Sequence, residues 1–75
     1  MKYNSTLDTK GLNCPLPLLR LKQLLQKSNP GEVIKMIATD PAAHLDVGVF
    51  IEKSKHEILL HERENDLQYF YIKVS

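Results

Sequence analysis

The leucines of one central segment recur at helical spacing and predict the clearest element of the chain. The segment "PLPLLRLKQLLQK" spans residues 15–27, and its polar residues fall outside a single apolar stripe. That stripe consists of Leu18, Leu21, Leu24 and Leu25. The following "SNPG" ends the helix, because Pro30 cannot continue it and Gly31 suits a turn.

Four other segments alternate with a period of two and predict strands. "EVIKMIAT" (32–39) places Ile34, Met36 and Ala38 on one face, and "KYNSTLDT" (2–9) alternates more weakly. "HEILLHERE" (56–64) and "LQYFYIKV" (67–74) are separated by Asn65 and Asp66, a plausible hairpin turn. The last strand alternates Phe70, Ile72 and Val74 with Tyr69, Tyr71 and Lys73.

A second helix is predicted between the second and third strands. Asp40 is a suitable N-cap, and Pro41 suits the first turn. The helix is expected to run from Pro41 to about Lys53 and to bury Ala42, Leu45 and Val49.

The resulting order, βαβαββ, predicts an α/β (α+β) fold. Two helices of this length cover one face of a four-stranded sheet, so we expect a two-layer α/β sandwich with a mixed sheet. The first βαβ unit should be a right-handed crossover between parallel strands, and the last two strands should be antiparallel. At 75 residues the chain forms a single domain, 1–75. So small a domain has little room for a ligand cavity, which favours a function on the surface.

Composition and charge exclude several classes of function. A net charge of +1 provides no strong field for nucleic acid or an acidic membrane. No apolar run approaches the roughly 20 residues of a membrane span, and the N-terminus lacks the apolar core of a signal peptide. One cysteine cannot form an internal disulfide. We therefore expect a cytoplasmic, monomeric domain without a cofactor.

The single cysteine lies in "GLNCPLPLLRL" (11–21), where the first helix begins. If Cys14 is the N-cap or its neighbour, Pro15 takes the first helical position and Pro17 the same turn. The free N–H groups and the helix dipole would then stabilise a thiolate or a persulfide anion and lower the pKa of the thiol. Lys10 would add positive charge. The alternative is a buried, inert cysteine.

Three stretches of the sequence resemble the TusA/SirA-like family of small sulfur-carrier proteins. They are "LDTKGLNCPLPLLRLKQLLQK", "PGEVIKMIATDPAA" and "HEILL", and the resemblance extends from about Leu7 to Val74. The family's hallmark is a Cys-Pro-x-Pro motif at the start of the first helix, found here as residues 14–17. The family fold is also a βαβαββ two-layer sandwich.

The resemblance implies that Cys14 accepts sulfane sulfur as a persulfide and relays it to a partner protein. The implied donor is a cysteine desulfurase or a rhodanese-like protein, and the acceptor is another protein. The sulfur would serve tRNA thiolation, cofactor sulfur supply or sulfur metabolism. Gly11, Pro15 and Pro17 would shape the turn, and Asp8 and Asp40 would be neighbours of the thiol. An ordinary turn acid and a helix cap are the simpler interpretations of Asp8 and Asp40.

Two positions depart from the family pattern. Gly48 stands where many relatives have proline, and Lys55 stands where relatives often have glycine. Lys55 must therefore adopt a left-handed conformation, or the second helix must end differently.

Histidines and leucines provide further candidates. His44 would approach Cys14 if both helix N-termini lie at one end of the sheet. His56 and His61, five apart, should lie on opposite faces of a strand, and no pair has the spacing of a structural zinc site, so no metal is expected. Leu16 and Leu19 would form either a patch where a partner docks or an edge of the core. Such a patch would be ringed by Arg20, Lys22 and Lys27.

Two other functions remain as alternatives to a sulfur carrier. Tyr69 and Tyr71 on an open sheet face would stack on RNA bases, although interleaved arginines are absent. The chain would otherwise be a protein-interaction or regulatory module in which Cys14 carries no sulfur.

Overall fold

The sheet has the strand order β1-β2-β4-β3 and follows the predicted βαβαββ sequence of elements. The structure is a computed structural model that describes residues 1–75. Its elements are β1 (Ser5–Thr9), α1 (Leu16–Lys27), β2 (Val33–Ala38), α2 (Ala43–Glu52), β3 (Glu57–Glu64) and β4 (Leu67–Lys73). β1 and β2 are parallel, whereas β4 is antiparallel to both β2 and β3. The predicted mixed sheet is confirmed.

The hydrophobic core lies between the two helices and one face of the sheet. On the sheet side it contains the predicted alternating residues of β2 and β4, because successive side chains of a strand point to opposite faces. On the helix side it contains Leu21 and Leu25 of the predicted α1 stripe. The strand residues of this core are Ile34, Met36, Ala38, Phe70 and Ile72, followed by Val74.

Helix α2 buries a different face from the predicted one. Ala43, Val47 and Ile51 are buried, whereas Leu45 and Val49 are 60% and 54% exposed. The helix also begins at Ala43 rather than Pro41, and its N-cap is Ala42 rather than Asp40, whose carboxylate instead closes a local turn by accepting the Ala42 N–H. Its sequence, "AHLDVGVFIE", is apolar on nearly every side. Periodicity therefore did not identify the buried face, and packing against the sheet determines it.

Strand β3 contains a bulge between His56, which immediately precedes the strand, and His61 within it. Ile58 pairs with Ile72 and Leu60 with Tyr71, so Leu59 is an extra residue. His61 consequently stacks on Phe70, with ring centroids 4.4 Å apart, and His56 approaches Phe50 of α2. The prediction that the two histidines lie on opposite faces is wrong, because the bulge interrupts the alternation.

The turns confirm the sequence interpretation and resolve one open point. Asn65 and Asp66 connect β3 to β4, and Asn65 has the positive φ of 56° that such hairpins require. Helix α2 ends at Glu52, its C-cap Lys53 keeps a right-handed helical conformation, and the Ser54 N–H donates to the Ile51 carbonyl. The helix thus ends without a left-handed Lys55.

The second face of the sheet has no helix over it. Lys35 extends along this face, and its Nζ lies 5.2, 5.1 and 5.9 Å from the ring centroids of Tyr3, Tyr69 and Tyr71. Tyr71 is only 8% exposed. None of the chain's helices is both long and apolar enough to span a bilayer.

Candidate functional site

The candidate site lies where the parallel strands β1 and β2 both end. Thr9 of β1 pairs with Ala38 of β2, so the loops that follow them emerge side by side. In the first loop the Leu12 N–H donates to the Thr9 carbonyl, and Gly11 adopts a φ of +81° that favours glycine. The Gly11 N–H donates to Thr39 Oγ1 in the second loop, at 2.9 Å, which ties the two loops together.

Two carboxylates hold Cys14 at this end of the sheet. Its backbone N–H donates to Asp40 Oδ2 at 2.9 Å, and its Sγ donates to Asp46 Oδ2 at 2.6 Å. The Sγ atom and one oxygen of each carboxylate all lie within 4.8 Å of one another. The Cys14 residue is exposed, which excludes the interpretation of a buried structural cysteine. An exposed thiol in a fixed backbone position is accessible to a partner protein.

Asp40 is held in place from two directions. Its Oδ1 accepts the Ala42 N–H at 3.1 Å, which is a local turn interaction just before α2. Its carbonyl accepts a hydrogen bond from Gln68 Nε2 at 3.0 Å. Gln68 is 2% exposed, and its Oε1 lies 3.1 Å from His61 Nε2, so its amide is satisfied. Strand β4 therefore positions the loop that anchors Cys14.

The start of α1 differs by one residue from the prediction. The N-cap is Pro15, Leu16 is the first helical residue, and Cys14 precedes them. Pro17 is buried and fixes the first turn against the core. Pro15 and Pro17 have no N–H, and the Leu16 N–H donates to the Asn13 carbonyl. The prolines thus shape the turn as expected, but they also remove donors that would have approached the sulfur.

The Cys14 thiol has a raised pKa, contrary to the expected lowering. The hydrogen bond to Asp46 is the main cause, because it stabilises the protonated thiol; desolvation and the negative charges of Asp46 and Asp40 act in the same direction. The sequence interpretation considered the helix terminus and overlooked these carboxylates. Free Cys14 is therefore a protonated thiol at neutral pH.

Three further predicted neighbours of the thiol have other partners. Lys10 pairs with Asp8, with Nζ 3.7 Å from Oδ2, and the Lys10 N–H also donates to Asp8 Oδ1. Asp8 thus accepts a hydrogen bond within its own turn, and the ammonium group of Lys10 forms an ion pair with Asp8 rather than with the sulfur. His44 stacks on His61, with ring centroids 6.3 Å apart, instead of pairing with Cys14.

Sequence reasoning missed Asp46 and Gln68 as members of the site. The available signal for Asp46 was that it is the acidic residue in the first turn of an otherwise apolar stretch of α2. Because both helix N-termini lie at the end of the sheet that carries Cys14, that carboxylate was a candidate neighbour. Gln68 gave a weaker signal, as a polar residue next to the alternating core positions of β4.

An exposed apolar patch adjoins the site. Leu16 and Leu19 are 44% and 47% exposed, and Arg20 beside them is exposed. These three residues are referred to below as the α1 patch. A groove of about 340 Å³ between the two helices begins at Asp46. Its lining residues are Leu18, Lys22, Asp46, Val49, Phe50 and Lys53.

Comparisons with known proteins agree on one family. Residues 5–74 match the family described as "Sulfurtransferase TusA". The chain is 38% identical to the "Sulfur carrier protein TusA" of Allochromatium vinosum, over 97% of this chain and 96% of that protein. It is 33% identical to the "Putative sulfur carrier protein YrkI" of Bacillus subtilis, over 97% of each. A crystal structure of a SirA-like protein from Desulfitobacterium hafniense, 20% identical, superposes with a TM-score of 0.82 over 96% of this chain and 99% of that one.

Proposed function

Because the chain belongs to the sulfurtransferase TusA family, we propose that it is a sulfur carrier in which Cys14 holds sulfane sulfur as a persulfide. One observation carries the proposal: the chain's single thiol is exposed and is held at a fixed position at the edge of the sheet. Of the relatives named above, one is named a sulfur carrier and the other a putative sulfur carrier, which supports the same role.

The proposed chemistry is a transfer of one sulfur atom between thiols. Cys14 Sγ attacks the outer sulfur of a donor persulfide, the donor's S–S bond breaks, and the donor leaves as a thiolate. A thiolate of the acceptor protein later attacks the outer sulfur on Cys14 and releases the Cys14 thiolate. With one cysteine in the chain, no internal thiol resolves the persulfide. The loaded state therefore persists until an acceptor arrives, and the protein does not turn over alone.

The proposed donor is a cysteine desulfurase or a rhodanese-like protein, and the proposed acceptor is another relay protein. The final use of the sulfur, whether tRNA thiolation, cofactor supply or sulfur metabolism, is determined by these partners. Gly11, Pro15 and Pro17 shape the turn, and Asp40 anchors the Cys14 backbone.

The α1 patch is the proposed docking site for these partners. Leu16 and Leu19 expose apolar surface directly after the cysteine turn, and exposed apolar patches are typical of interaction sites. Helix α1 also contains Arg20, Lys22 and Lys27 but no acidic residue. A partner with an apolar centre and an acidic rim complements this surface.

Intact-protein mass spectrometry tests the carrier function directly. Wild-type protein incubated with a cysteine desulfurase and cysteine should gain one sulfur atom, and a reductant should remove it. The Cys14→Ser variant should gain none, because its hydroxyl does not form a persulfide. A rhodanese with thiosulfate provides a second donor system.

Uptake by both proteins, or by neither with either donor, would contradict the proposal. The first result would place the sulfur away from Cys14. The second would favour the protein-interaction module, in which Cys14 shapes a surface without carrying sulfur.

A further inference from the structure

The Cys14 sulfur lies in an unusually negative environment for an atom that has to carry an anion. Asp46 Oδ2 is 2.6 Å from Sγ, and Asp40 Oδ2 accepts the N–H of the same residue. Lys10, the cation closest in sequence, is paired with Asp8. The hydrogen bonds of the site therefore place two carboxylates beside Cys14. The neutral thiol is a hydrogen-bond donor to Asp46, which an anionic sulfur is not.

We propose that Asp46 biases Cys14 toward its unloaded state, so that the carrier gives up its sulfur more readily than an ordinary persulfide. The inference rests on the proposed carrier function and adds a residue that sets the direction of transfer. Its basis is that the Sγ–H···Oδ2 hydrogen bond exists on only one side of the transfer equilibrium. In the loaded state Sγ carries a sulfur atom where the proton was, and the bond to Asp46 is lost.

The charge of the loaded state acts in the same direction. A persulfide is a stronger acid than the thiol from which it forms, so it is an anion at neutral pH. Asp46 and Asp40 repel that anion, whereas the neutral thiol experiences no such repulsion. The outer sulfur should therefore turn away from Asp46 and toward solvent, where an acceptor thiolate reaches it.

The transfer balances without an oxidant or a reductant. During loading, Cys14 Sγ loses its proton to the departing donor thiolate as the new S–S bond forms and the donor's bond breaks. During unloading, the acceptor thiolate takes the outer sulfur, and the electron pair of the broken bond returns to Cys14 Sγ. A proton from solvent then restores the thiol and its hydrogen bond to Asp46. The bias therefore comes from the difference between the two states: the hydrogen bond to Asp46 is lost on loading and regained on unloading.

The test compares loading equilibria in a buffer of glutathione persulfide and glutathione at a fixed ratio and pH 7. The persulfidated fraction of intact protein is measured for wild type, Asp46→Asn, Asp46→Glu and Glu57→Gln. The last variant removes one negative charge at the opposite end of the sheet, where Glu57 pairs with Lys73, and serves as the matched control. Asp46→Asn should raise the loading equilibrium constant by about 2- to 5-fold, the range expected of an exposed charge interaction. Asp46→Glu and Glu57→Gln should load like wild type.

A second readout separates this role from a structural one. Asp46→Asn should shift the pH profile of Cys14 alkylation toward lower pH while leaving the thermal midpoint of the protein near that of wild type. Equal loading of wild type and Asp46→Asn would overturn the inference and leave the carrier function intact. Failure of wild type and Glu57→Gln to load from glutathione persulfide, and also from a cysteine desulfurase with cysteine, would instead refute the carrier function, and the inference with it.

Discussion

At the scale of single residues, the chemistry of Cys14 depends on which groups complete its surroundings. A cysteine near a helix N-terminus is expected to be acidic. Here two prolines remove N–H donors from that terminus, and Asp46 accepts a hydrogen bond from the sulfur. Without bound sulfur, Cys14 is consequently a protonated thiol that donates a hydrogen bond to Asp46. Attack on a donor persulfide therefore requires the thiol to lose its proton during the reaction, because Cys14 is not a permanently ionised nucleophile.

The raised pKa predicts a measurable difference between folded and unfolded protein. The folded state holds the Cys14 proton more tightly, so alkylation by iodoacetamide should reach half its maximal rate at a higher pH in native protein than in urea. The corresponding stabilisation is fully present below the pKa of the unfolded thiol and is lost as pH rises through the pKa of the folded one. A native midpoint at or below the unfolded midpoint would contradict this assignment.

The local parts of the site were predictable from sequence, and the family resemblance indicated Asp40, which contacts Cys14 from 26 residues away. The contact with Asp46 was not predictable. Gly11 and the two prolines act through their own backbone restrictions, which are readable from a short stretch of residues. Asp46 lies 32 residues from Cys14 in the chain. Its contact depends on the orientation of α2, and the apolar sequence of α2 left that orientation undetermined.

At the scale of elements, the two helices differ in how strongly their sequences specify a buried face. Helix α1 has charged residues outside one leucine stripe, and the structure turns that stripe toward the core, with Leu21 and Leu25 buried and the other two leucines partly buried. Helix α2 offers apolar side chains in nearly all directions, so its predicted face was wrong. Likewise, alternation in β3 predicted its histidines wrongly, because the extra residue Leu59 shifts the register and leaves no clear signal in the sequence.

A pair of leucines on α1 separates the roles of its two faces. Leu21 is fully buried, so Leu21→Ala should lower the free energy of unfolding by about 2–5 kcal/mol. Leu19, in the α1 patch, is 47% exposed, and Leu19→Ala should change stability by no more than about 0.5 kcal/mol. Urea denaturation of both variants measures these changes.

The Leu19→Ala variant also tests whether the α1 patch is a docking surface. Leu19→Ala should slow sulfur transfer from the donor protein by about fivefold, corresponding to roughly 1 kcal/mol of docking free energy. Transfer from glutathione persulfide, which does not use the patch, should be unchanged. Equal slowing with both donors would assign Leu19 to the thiol site instead of to docking.

At the scale of the whole molecule, the candidate site lies at one end of the sheet, where β1 and β2 both terminate. The parallel pair β1 and β2 and both helix N-termini bring Cys14, Asp40 and Asp46 together from three parts of the chain. The uncovered face of the sheet carries tyrosine rings rather than the thiol of the candidate site. Its tyrosines lie around Lys35, and one of them, Tyr71, is nearly inaccessible. That arrangement gives RNA bases few free aromatic rings on which to stack.

The uncovered face therefore provides a test of the alternative function. Nonspecific RNA binding requires several phosphate contacts and weakens steeply with salt, whereas the net charge of this chain is only +1. Titration of Cys14→Ser with single-stranded RNA at about 50 and 200 mM salt should show no salt-dependent binding in the micromolar range. The Cys14→Ser variant excludes contributions from the thiol, and a Lys35→Ala variant tests the tyrosine cluster. Binding that falls with salt and disappears in Lys35→Ala would instead identify the open face as a nucleic-acid surface.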